Sequence, residues 1–96
     1  MSVLMRHELP GVTAEQAGPL ITPMIDQLKA FPGFVLQVSG PIPGGYQVTE
    51  VWESQEAHER WVREHVVPTM QQAGMLPPGA QLPPSQYLPI DRFFTR

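Results

Sequence analysis

The stretch PGFVLQVSGPIPGGYQVTEVWESQEAHERWVREHVVPTMQQAG, Pro32 to Gly74, decides the fold. Its first part, Phe34 to Ser39 (FVLQVS), is a nearly continuous apolar run short enough to be a strand. Gly40-Pro41-Ile42-Pro43-Gly44-Gly45 follows, and glycine and proline at this density make a turn. Tyr46 to Trp52 (YQVTEVW) is rich in β-branched and aromatic residues and reads as the next strand. The short connection makes the two an antiparallel hairpin. Ser54 then caps a helix, with Glu56 in its first turn where the helix dipole favours an acid. Trp61, Val62, His65 and Val66 fall on one stripe of that helix, Pro68 breaks or kinks it, and Gly74 ends it.

Working outward, Val3 to Glu8 is a strand closed by the turn signal Leu9-Pro10-Gly11. Thr13 with Gln16 forms a capping-box pattern at the start of a helix. Apolar residues at Ala17, Leu20, Ile21, Met24, Ile25 and Leu28 keep helical spacing to Phe31, while Pro19 and Pro23 predict a kink or a late start. Residues 75 to 85 (MLPPGAQLPPS) hold four prolines without periodicity and form a semi-rigid arm. Gln86 to Thr95 is the last strand, with Pro89 marking an edge or a bulge.

The order is βαββαβ: one α+β domain of ferredoxin-like type over residues 1–96, a four-stranded antiparallel sheet with both helices on one face. Strand two is apolar on both faces, so both must be covered. The helices cover one; a second copy of the sheet is the simplest cover for the other, which predicts a homodimer. On that reading the arm is either a lid over a pocket or a strap on the partner subunit, with the strap preferred.

Composition excludes several classes. The chain has 96 residues, no cysteine and a net charge of −3, with Lys29 its single lysine. Thiolate chemistry is excluded, and without a basic stripe nucleic-acid binding is not expected. No paired spacing of histidines or carboxylates suggests a metal. The N-terminus lacks the apolar run of a signal peptide, and no segment approaches the roughly 20 apolar residues of a membrane helix. A cytoplasmic protein is expected.

The Pro32–Gly74 segment resembles the antibiotic-biosynthesis monooxygenase-like group of dimeric α/β-barrel proteins. The likeness is carried by Pro32-Gly33-Phe34, by Gly40-Pro41 with Gly44-Gly45, by Val51-Trp52-Glu53-Ser54 leading into Glu56-Ala57, and by Trp61 and Pro68. It implies two ferredoxin-like subunits whose sheets face each other around an apolar pocket. It also implies chemistry without a bound cofactor on a small aromatic or polyketide-like molecule, as in that group's cofactor-independent monooxygenases. Group enzymes of that kind use an asparagine, tryptophans and an arginine. This chain has no asparagine, and Gln37 is the amide expected to face the pocket. The group's haem-degrading branch fits less well: His65 follows Trp61 by four residues and position 71 is Gln71.

The residues leave three functions open: an oxygenase, a cofactor-free cyclase or isomerase, and a non-catalytic ligand-binding or structural protein. Proton abstraction needs a base and a donor for the resulting anion. Glu50, set mid-strand among apolar neighbours, His7, on the face of Val3 and Met5, and Gln37 are the catalytic candidates. Trp52, Tyr46, Trp61, His65 and Arg92 are the expected substrate contacts, with Arg6 a second choice for holding an anion. Tyr87 and His58 are further acid–base candidates, although His58, between Glu56 and Glu59, reads as solvent-facing or paired with them. Each has a plain structural alternative. The tryptophans fit packing, His65 fits the C-terminal end of its helix, and Glu50 fits an ion pair with Arg92 or Arg6. A purely structural protein would have its interior packed shut by Trp52, Tyr46 and Met5.

Overall fold

In the computed structural model, which describes residues 2–96, strand β1 (Val3–Pro10) opens the chain. Thr13 caps helix α1 (Ala14–Ile21), its hydroxyl accepting from the Gln16 amide at 3.2 Å while the Gln16 side chain accepts from the Thr13 amide at 2.9 Å. The prolines break this helix rather than kink it. Pro19 removes one helical hydrogen bond inside α1, and the chain tightens into a 3-10 turn, Thr22–Met24, that contains Pro23. It resumes as α2 (Ile25–Lys29).

Strands β2 (Phe34–Ile42) and β3 (Gly45–Trp52) form the hairpin, so its turn is tighter than the Gly40–Gly45 loop expected from composition. A bulge between Phe34 and Leu36 admits Val35 as an extra residue on β2. Ser54 caps α3 (Gln55–Trp61), accepting from the Ala57 amide at 3.1 Å. A π turn, Val62–Val66, joins α3 to α4 (Val67–Gln72). Pro68 explains the π turn: without an N–H, and with a ring that crowds the carbonyl one turn back, it is best met by a wider turn ahead of it.

Strand β4 spans only Gln86–Pro89, shorter than the Gln86–Thr95 strand expected. The ladder ends with Val3 opposite Pro89, which has no N–H to continue it, and one further backbone bond, from the Ile90 amide to the Ser2 carbonyl at 3.0 Å, closes that end. All pairings are antiparallel and the sheet order is β2-β3-β1-β4, the ferredoxin-like arrangement.

The helices pack on one face of this sheet. Met5, Leu28, Phe31, Trp52 and Trp61 form the buried core there. Phe31 meets Trp61 edge-to-face at 5.3 Å and Trp52 at 6.0 Å, a geometry aromatic pairs favour. The opposite face carries Leu4, Leu36, Val38, Val51 and Leu88; Val38 and Leu88 are 58% and 49% exposed. No helix among the described residues is long and apolar enough to cross a membrane.

Candidate functional site

Antiparallel register places four residues in one row across the sheet: Gln37 on β2 opposite Glu50 on β3, Glu50 opposite Met5 on β1, and Met5 opposite Tyr87 on β4. Side chains alternate along a strand, so this row and its neighbour, Val48 and His7, point together toward the helices. Between them and the helices lies a cavity of about 650 Å³, walled mainly by apolar groups including Leu9, Leu20, Met24, Val66 and Met70. The aromatic core fills one end of this interlayer space and the cavity occupies the rest. The resemblance implied a pocket between the facing sheets of two subunits. Within a single chain, the cavity lies on the other side of the sheet, partly open and walled by the chain's own helices and arm.

Glu50 is 3% exposed at its wall. Gln37 Nε2 donates to its Oε2 at 2.7 Å, and Trp52 Nε1 donates to its Oε1 at 2.9 Å. Burial raises its pKa, opposed by those two hydrogen bonds, which favour the carboxylate. His58 hangs from α3 above the same row, equally buried, its Nε2 3.6 Å from Glu50 Oε1 and its Nδ1 2.7 Å from the Tyr87 hydroxyl. Burial, reinforced by nearby His7, lowers His58 to about 4, so it is neutral near pH 7. Burial first, then the Glu59 and Glu50 charges, push Tyr87 up to about 12, so it keeps its proton. With Glu50 ionised, these partners assign the tautomer: His58 Nε2–H faces the carboxylate and Nδ1 accepts from Tyr87. His7 lines the cavity one row away, its Nδ1 3.3 Å from Ser85 Oγ, with a pKa lowered by burial.

Of the expected site residues, the cavity wall therefore holds Glu50, His7, Gln37 and Trp61. Trp52, expected to touch substrate, is fully buried in the core and meets the site only through its indole N–H on Glu50. Tyr46 lies at the hairpin end opposite Leu9, outside the cavity lining, and donates to Ser39 Oγ at 3.2 Å. His65 is likewise not in the lining; the π turn re-phases the helix after Trp61, and His65 stacks on that indole at 4.7 Å. Arg92 follows β4 in an exposed tail, 3.8 Å from Asp91, and holds nothing in the site. Arg6 points from the opposite face of β1, so no arginine pairs with Glu50.

His58 is the residue whose sequence reading fails most clearly. It does not face solvent with Glu56 and Glu59 but completes the Glu50–Tyr87 link. The signal was present: positions 58, 61 and 62 lie on one helical face, so the stripe through Trp61 and Val62 extends back one turn to His58. The arm also takes a definite place. Gln81 to Ser85 wall the cavity of their own chain, and Leu76 is buried beneath the arm's start.

No family model matches the sequence, and no curated protein is found similar to it. A comparison of the fold with solved structures does find a match. The chain has the fold of SnoaB. SnoaB is a cofactor-independent oxygenase from Streptomyces nogalater, solved as an asparagine-to-alanine mutant. The two superpose with a TM-score of 0.59 over 99% of this chain and 96% of that chain, at 14% identity. The likeness to SnoaB agrees with the architecture expected from the Pro32–Gly74 resemblance. At that identity it speaks for the fold, and the chemistry has to be argued from the side chains.

Proposed function

We propose that this protein is an enzyme acting on a small aromatic or polyketide-like molecule, and that its reaction is a cofactor-independent monooxygenation begun by proton abstraction. One observation carries this reading: a buried carboxylate, linked through a neutral histidine to a tyrosine hydroxyl, on the wall of a mainly apolar cavity. A carboxylate whose pKa is raised by burial is a stronger base than one in water. Glu50 takes a proton from an activated C–H of the substrate, and the electron pair stays behind as a delocalised anion. The Tyr87 hydroxyl, which donates to His58 Nδ1 in the free protein, turns its one hydrogen to the substrate to serve as donor for the oxygen on which that charge gathers. Dioxygen is the oxidant. The anion adds to it, the resulting peroxide anion takes the proton back from Glu50 to become a hydroperoxide, and loss of water converts the original CH₂ to a carbonyl, one oxygen atom entering the product and one the water. Gln37 and Trp52 position Glu50 through their hydrogen bonds to it, and Trp52, sealed in the core, does not touch the substrate. The structural neighbour being an oxygenase supports the reading, and the open cavity argues against an interior packed shut for purely structural use.

An oxygen electrode tests it, with a hydroxylated anthrone as the probe. The expected result is uptake of one dioxygen per substrate, reduced about a hundredfold or more in Glu50→Gln. The melting temperature of that variant should stay nearly unchanged, because it removes a charge that burial already disfavours. Conversion of the probe without oxygen uptake would move the assignment to a cyclase or isomerase using the same Glu50 base. Binding without conversion would leave a ligand-binding protein.

A further inference from the structure

The cavity's charges are unevenly placed. Along the sheet its polar wall consists of buried Glu50 and His58 with half-buried Gln37, Tyr87 and His7 beside them, and this row holds no lysine or arginine. The remaining charged lining residues, Glu59 and Arg63, are exposed, of opposite sign and screened by solvent. The arginines from which an anion clamp would be built are elsewhere: Arg6 on the far sheet face, Arg92 in the exposed tail, Arg60 paired at 3.1 Å with Glu64. Both histidines are held toward their neutral forms by burial. An anionic ligand group taken into this interior would lose its hydration, find no counter-charge and lie near the Glu50 carboxylate. An uncharged hydroxyl or carbonyl meets the opposite situation, since the row offers an acceptor at Glu50 and a donor once the Tyr87 hydroxyl turns its hydrogen from His58 Nδ1 to the ligand.

We propose that the cavity takes its ligand uncharged, as a hydroxyl- or carbonyl-bearing aromatic molecule, and discriminates against carboxylates of the same shape. This rests on the cavity being the ligand site of the proposed function, but not on the reaction being an oxygenation.

Two probes of matched ring size test it: 1-naphthol, uncharged near neutral pH, and 1-naphthoate, an anion there. Binding is read on the unmodified protein by calorimetry and by quenching of tryptophan fluorescence, to which Trp61 in the wall contributes. The expected result is that 1-naphthol binds at least about tenfold more tightly than 1-naphthoate. The preference should narrow in Glu50→Gln, which removes the negative charge while keeping the shape. Equal or tighter binding of 1-naphthoate would overturn the proposal, as would failure of both probes to bind. Because no turnover is measured, selective binding of 1-naphthol without oxygen uptake from the anthrone would retain this inference and remove the oxygenase reading alone.

Discussion

Trp52 shows how a residue can govern a site without entering it. Its ring is fully buried in the aromatic core, while its N–H reaches Glu50, two residues earlier on the same strand face. Packing thereby sets the geometry of the candidate base. Trp52→Phe keeps an aromatic ring but removes that donor and part of the volume. The expected cost is about 1–3 kcal/mol in denaturant unfolding. The Glu50 carboxyl should also titrate higher than in the parent when followed by carbon NMR, since a hydrogen bond to its charged form is gone. An unmoved titration would mean that the indole only packs.

At the scale of elements, the junction ahead of β2 holds the sheet against α3. Gly33 has φ +92°, in the left-handed region, and a Cβ there would lie 2.7 Å from Ala57 Cβ on α3. Its carbonyl also accepts from the Glu53 amide at 2.8 Å, tying the start of β2 to the end of β3. Gly33→Ala therefore combines backbone strain with a steric clash and should lower stability by about 2 kcal/mol or more, visible as a reduced melting temperature. A melting temperature equal to the parent's would show that α3 can shift to make room. Because α3 carries His58, any such shift would also disturb its contact with Tyr87.

For the whole molecule, acid sensitivity follows from the histidine beneath α3. The folded-state pKa of His58 is about 4, against 6.5 when unconstrained. Between those values the unfolded chain binds the extra proton and the folded chain does not. Stability therefore falls as pH drops through about 6.5 toward about 4, by an amount on the order of 3 kcal/mol. Glu50, raised by its burial, acts in the opposite sense above its ordinary range. The histidine's share is thus read as the difference between the parent and His58→Gln in thermal melts across that window. A difference independent of pH would refute it. The sheet face opposite the helices, with Val38 and Leu88 exposed, supports the proposal that two copies pair through it. Light scattering at micromolar concentration should give twice the mass of one chain, and a monomer mass would rule that pairing out.

Local chemistry made much of this molecule legible from its sequence. The hairpin, both side-chain-capped helix starts and the βαββαβ order rest on turn residues, caps and periodicity, which act over a few positions. Glu50 and Gln37 stood out because a polar residue mid-strand among apolar neighbours needs a partner wherever it lies. Tertiary structure alone decided which partner. Register set Gln37 beside Glu50 and Tyr87 two strands away, and the packing of α3 on that row brought His58 down between them. It likewise put Trp52 behind the site, His65 against Trp61 and Arg92 in the open tail, and it placed this chain's cavity under its own helices. Contacts between residues far apart in the chain depend on strand register and layer packing, and one position of register shift reverses the face of every side chain on a strand.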